Sequence, residues 1–122
     1  MLAKNFLLVA AGGGIGAILR YGLSLILPNQ SFPYATLTIN LAGSFLLGII
    51  LALSVRNETL SSGFKLFLAT GICGGFTTFS GFSSENLGLM QMGKYNIAFI
   101  YIITSVLGGL LATWLGFKLI QQ

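Results

Sequence analysis

The chain has no histidine and no aspartate, and its 122 residues hold only two glutamates and one cysteine. Most acid–base catalysis and most metal binding draw on these side chains, so an enzyme of the usual kind is an unpromising reading. A single cysteine, Cys73, excludes an internal disulfide. Charge of either sign is scarce: charged residues make up 7% of the chain, and the net +4 comes from six scattered basic residues. That scatter is unlike a nucleic-acid footprint, which needs basic residues gathered on one surface. The two prolines, Pro28 and Pro33, lie close together and leave long stretches uninterrupted.

What is abundant is apolar. Hydrophobic residues reach 55% and mean hydropathy is +0.92. A soluble domain of this size leaves much of its surface in water and has nowhere to hide so much apolar area. The composition therefore predicts an all-α integral membrane protein. The first apolar run is long, with no small-residue cleavage site and polar start behind it, so it reads as a span and not as a leader. Four segments of about the 20 residues that a span needs are expected at 4–27, 34–55, 64–92 and 96–120. Their connections are short, which predicts that consecutive helices pack as antiparallel neighbours in a single transmembrane domain covering 1–122. Lys4, Arg56, Lys65 and Lys118 would share one side of the bilayer, against Lys94 and Arg20 on the other. This four-against-two bias leaves single and mixed orientation both open.

The third segment departs from the rest. Between Lys65 and Lys94 lie about 29 residues, about 43 Å as one straight helix, where a bilayer core is about 30 Å thick. Near its middle stand Gly71, Gly74, Gly75, Thr77 and Thr78. The spacing predicts a helix broken at mid-membrane, because irregular backbone is tolerated at that depth where it is buried in protein or lines a cavity. Such a break leaves N–H groups unpaired at one helix end and C=O groups unpaired at the other. In membrane proteins those carbonyl ends can hold a cation. A two-fold axis through the break would bring two carbonyls from each chain around one ion.

Small and polar residues recur along the helix faces. Gly12 and Gly16 mark the first span. Thr36, Asn40, Gly43, Ser44 and Gly48 mark the second, and Tyr101, Ser105, Gly108, Gly109, Ala112 and Gly116 the fourth. Stripes of this kind let membrane helices approach closely, and packing alone accounts for most such glycines. Residues 12–17 also fit a G-x-G-x-x-A dinucleotide pattern, but no strand precedes them and no acid follows about 20 positions on, so they read as helix contacts. Arg20 is either an anchor or a source of local anion affinity. Asn40 needs a partner inside the bilayer and can donate to an anion. Phe79 and Phe82 share a face. Their rings are either packing or, edge on, a lining for a small anion. Ser80, Ser83, Thr104 and Ser105 offer hydroxyls. Glu85 is read as a structural salt-bridge partner of Lys94 or Arg20, with a place in a vestibule as the alternative. Four short helices cannot both pack and enclose a pathway, which points to a homo-oligomer.

Taken together, residues 13–21, 40–48 and 71–80 closely resemble the Fluc (CrcB) family of fluoride channels, and the resemblance in length, order and spacing extends over essentially the whole chain. It implies an antiparallel, dual-topology homodimer of four-helix subunits with two fluoride pores in the cell (inner or plasma) membrane. It further implies a structural sodium ion at the dimer interface, held by the backbone carbonyls of Gly74 and Thr77. The fluoride pathway would take Asn40, Phe79, Phe82, Ser80, Tyr101 and Ser105, with Arg20 and Glu85 in the vestibule or as anchors. Two positions depart from the family pattern: Gly81 and Gly109 stand where small hydroxyl residues are usual, so the hydroxyl track is thinner here.

Two further readings compete. A small dual-topology, proton-coupled cation or multidrug exporter needs an intramembrane carboxylate, and Glu85 is the one candidate. A non-transporting assembly protein needs only the small-residue stripes, and leaves the polar cluster at the break without a purpose.

Overall fold

The computed structural model describes residues 1–28, 31–56 and 60–122, and among these residues all regular secondary structure is helical. Four helical stretches are long and apolar enough to cross a membrane: Leu2–Ile26, Tyr34–Arg56, Ser62–Gln91 and Tyr95–Gln121. Each lies within two residues of the span expected at each end.

Local chemistry sets the boundaries. The first helix, α1 (Leu2–Ile26), stops where Leu27 turns extended, as a residue before proline is driven to do. The second, α2 (Tyr34–Arg56), opens directly after Pro33, whose carbonyl accepts from Leu37 N–H at 3.1 Å. The third span begins with α3 (Ser62–Lys65), capped by the Ser61 hydroxyl, which accepts from Phe64 N–H. It continues through a widened, π-type stretch, Leu66–Cys73, into the single turn α4 (Gly74–Phe76). After a break it resumes as α5 (Phe79–Gln91), and the fourth span is α6 (Tyr95–Gln121). Between α5 and α6, Gly93 sits at φ 72, the left-handed conformation that favours glycine. Gly93 N–H donates to Met90 O and Lys94 N–H to Leu89 O, the paired bonds of a Schellman turn.

The packing corrects the neighbour expectation. Sequential helices α1 and α2 scarcely touch. The extensive contacts are α1 against the first half of the third span and α2 against α6. Bare backbone decides this. A Cβ on Gly12 would run into the Phe67 carbonyl and lie 2.9 Å from Gly71 Cα, and one on Gly16 would meet the Ile72 carbonyl and lie 2.7 Å from Phe76 N. Along the other pair, a Cβ on Gly48 would strike the Thr113 carbonyl and one on Gly116 the Phe45 carbonyl. Helices without a hydrophobic force between them associate where their backbones can come closest, and matched glycines outweigh the proximity that a short loop provides.

The largest buried side chains are Tyr101 and Ile39. Around Tyr101, Leu89 and Ala98 gather Phe32, Leu37, Phe82 and Ile97. This small core lies beyond the break, where α5 leans on α6. Many large apolar side chains face outward, among them Phe6, Ile18, Phe99 and Leu110. That is the expected dress of helices surrounded by lipid.

Candidate functional site

The third span is interrupted at Thr77 and Thr78, within the group of glycines and threonines expected near its middle, while Gly74 and Gly75 stay helical. Both threonines are extended, with φ −84 and ψ 154 at Thr77 and φ −144 and ψ 116 at Thr78. Several of the groups at the break find new partners. Thr78 N–H donates to Asn40 Oδ1 at 2.8 Å, and Asn40 Nδ2 donates back to Thr78 O at 3.1 Å. In a continuous helix the Thr78 N–H would have served the Gly74 carbonyl, four residues earlier. Asn40 draws it away, and Gly74 lies exposed on the surface of the subunit. Arg20 Nε donates to the Gly75 carbonyl at 3.2 Å, tying α1 to the last turn before the break. Arg20 therefore acts as an anchor for that turn. The Thr77 hydroxyl donates to Cys73 O at 2.9 Å, and the Thr78 hydroxyl caps α5 by accepting from Gly81 N–H at 2.9 Å.

Around the break opens a groove of about 350 Å³. Four residues expected on the pathway line it: Asn40, Phe79, Phe82 and Ser105. Gly74 and Thr77 line it as well. Phe79 is 78% exposed and projects from the subunit, whereas Phe82 is half-buried. Their ring centroids are 5.6 Å apart. Phe82 in turn meets Tyr101 edge to face at 5.1 Å, and Tyr101 meets Phe32 at 5.5 Å in the same manner. Such contacts fix ring orientation as well as adding to stability.

Other expected residues lie elsewhere. Ser80 is exposed, with its hydroxyl 3.2 Å from that of Thr78, and does not line the groove. Tyr101 is wholly buried behind Phe82. Glu85 pairs with neither Lys94 nor Arg20. Its carboxylate accepts from the Tyr101 hydroxyl at 3.0 Å and, through its other oxygen, from the Thr36 hydroxyl. Two hydroxyls from α2 and α6 reach this carboxylate sideways within the bundle. Lys94 starts α6 beyond the Gly93 turn, and the Arg20 side chain is spent on the break. Glu85 also borders a second cavity, of about 220 Å³, one helical turn along from Phe82. Thr36 was visible only as a member of the second span's polar stripe. Its spacing of four from Asn40 places both on one face, which is the signal that could have marked it.

The chemistry on offer is of one kind. The groove carries neutral donors, peptide groups and phenyl rings, and no cluster of metal-binding side chains occurs among the described residues. Such a lining can strip and replace the water around a small ion without trapping it by a fixed charge.

The family model described as CrcB-like protein, Camphor Resistance (CrcB), matches residues 7–117. The chain belongs to the CrcB family. Among its CrcB relatives, a Flavobacterium psychrophilum protein is 43% identical over 122 residues, covering 98% of each chain. A Thermus thermophilus protein is 45% identical over 98% of this chain and 95% of its own. One from Leptospira interrogans is 43% identical over 98% and 97%. All three bear the name fluoride-specific ion channel FluC.

Proposed function

We propose that the chain is a multi-pass membrane channel that conducts fluoride passively out of the cell and so limits fluoride toxicity. The observation that carries the choice of ion is the match over nearly the whole chain to CrcB relatives named as fluoride-specific channels. The site supplies the physical means. Conduction needs no ATP, since a negative-inside potential favours outward anion movement by about 2.3 kcal/mol per 100 mV. In the groove, the second N–H of the Asn40 amide and the hydroxyl of Ser105 replace water as donors. The rims of Phe79 and Phe82 present the positive edges of their rings to the ion. Tyr101 acts on the pathway through Phe82, which it braces, because its own hydroxyl is engaged by Glu85.

The functional unit in this reading is an antiparallel homodimer with two pores, in the cell (inner or plasma) membrane. The groove is open on one side, and exposed Phe79 and Gly74 stand on its margin. A second copy would close it and give each Phe79 a dry environment. A two-fold axis at the break would gather the carbonyls of Gly74 and Thr77 from both subunits. These residues suit a sodium ion: hard cations prefer oxygen ligands, and the Gly74 carbonyl has lost its helical donor to Asn40. Sodium there would neutralise the converging carbonyl dipoles and hold the subunits together.

The deciding experiment reconstitutes purified protein into liposomes loaded with fluoride or chloride and follows each anion electrode on release. Rapid fluoride efflux with chloride retained is expected, and equal release of both would refute fluoride selectivity. Asn40→Asp is expected to abolish efflux, because a carboxylate lacks the N–H that Thr78 O and the anion require.

A further inference from the structure

The parallel helices α2 and α6 keep a steady register. Gly48 lies against Thr113, and a Cβ built on Gly109 would stand 3.8 Å from Ser44 Oγ. The same register sets Ser105 beside Asn40, and all four of Asn40, Ser44, Ser105 and Gly109 line the groove. Two other hydroxyls of these helices are satisfied within their own helix: Ser54 donates to Ile50 O at 2.7 Å and Thr113 to Gly109 O at 3.1 Å. Ser105 is different, for its hydroxyl oxygen is buried with no hydrogen-bond partner among the described residues. A buried hydroxyl left in this state is unfavourable unless something arrives to meet it.

We propose that Ser44, Ser105 and the outward N–H of Asn40 form an anion-binding point on the groove, with Ser44 supplying from α2 the hydroxyl that Gly109 omits from α6. The inference rests on the fluoride-channel reading and names a residue and a step within it. Polarity decides the sign of the ion. The Asn40 carbonyl oxygen is already occupied by Thr78 N–H, so the amide turns only N–H toward the groove. Two hydroxyls beside it can rotate their protons to the same point. Three neutral donors suit a small anion of high charge density, such as fluoride, and hold it less firmly than a lysine or arginine would. Gly109 is part of the design, because its missing side chain leaves Ser44 facing open space. A hydroxyl is thus carried on one wall or the other, and the thinner track on α6 is made good from α2.

The test moves the hydroxyl across the groove. Ser44→Ala is expected to slow fluoride efflux from liposomes by about tenfold or more, the effect of losing a donor to a charged partner. Adding Gly109→Ser to Ser44→Ala is expected to restore efflux, while Gly109→Ala in the same background is not. A Cβ at residue 109 meets Ser44 at ordinary contact distance, so these variants are expected to elute as the parent does. If Ser44→Ala conducts like the parent, or if Gly109→Ala rescues as well as Gly109→Ser, the binding point is refuted and the channel reading stands. If the parent itself releases no fluoride, the channel reading falls and takes the binding point with it.

Discussion

Residues 62–76 meet their neighbour through bare backbone, whereas residues 79–91 meet theirs through long side chains. In the first half of the third span, Gly71 and Gly75 lie against Gly12 and Gly13 with no room for a methyl group. In the second half, Phe82 leans on Tyr101, and Glu85 collects hydroxyls from Thr36 and Tyr101. Backbone contacts leave no slack, because nothing at the interface can rotate away. Side-chain contacts can shift further than backbone ones, and Phe79 and Phe82 are carried on this half. The contrast ties the first half to holding the subunit in shape and leaves the second to carry the phenyl rings that the proposed pathway uses.

Substitutions can break or sharpen that division, beginning with the strongest. Gly16→Val forces a side chain into the Ile72 carbonyl and Phe76 N, and should cost about 3 kcal/mol or more. Loss of monodisperse protein in detergent would report it, and a normally stable variant would show that the first half is not clamped as described. Next, Phe79→Ile and Phe82→Ile should each cut fluoride efflux, while only Phe82→Ile should also lower thermal stability, by about 1 kcal/mol. Equal stability loss in both would mean that Phe79 packs as Phe82 does. Tyr101→Phe removes one donor to Glu85 and should destabilise by about 1.5 kcal/mol with efflux reduced less than in Phe82→Ile. Glu85→Gln keeps an acceptor for one hydroxyl and turns an N–H donor toward the oxygen of the other; it should still conduct, whereas a proton-coupled exporter would stop. The mildest change is Gly88→Ala. A Cβ there meets nothing within 4 Å, so the better helix former should leave stability unchanged or raise it by about 0.5 kcal/mol. Serious damage would show that α5 is gripped as closely as the half before it.

Much of this could be read from the sequence. Hydropathy located all four spans, because the bilayer imposes one length on every helix that crosses it. The surplus length of the third span, with its glycines and threonines, located the break. Asn40 was marked as a buried amide in need of a partner, but its partner, the Thr78 backbone, is 38 residues away and no periodicity links the two. Helix pairing was misjudged because it follows the meeting of Gly12 with Gly71 and of Gly48 with Thr113, which is a property of two helices at once. The partners of Glu85 were hidden for the same reason: Thr36 lies 49 residues before it and Tyr101 16 after. The π-type winding at Leu66–Cys73 has no signature in the residues that form it.

Asn40 gives the extended backbone at Thr78 both halves of a peptide bond's usual partnership, one acceptor and one donor, from a single side chain. A carboxamide used in this way behaves like a rung borrowed from a β-ladder and set inside a bundle of helices. The interruption is therefore splinted on both edges, and it is held as a fixed bend instead of a hinge. In the proposed channel an ion passing this point would meet a backbone contour settled when the protein folded, so any adjustment to its radius would fall to the side chains beyond it.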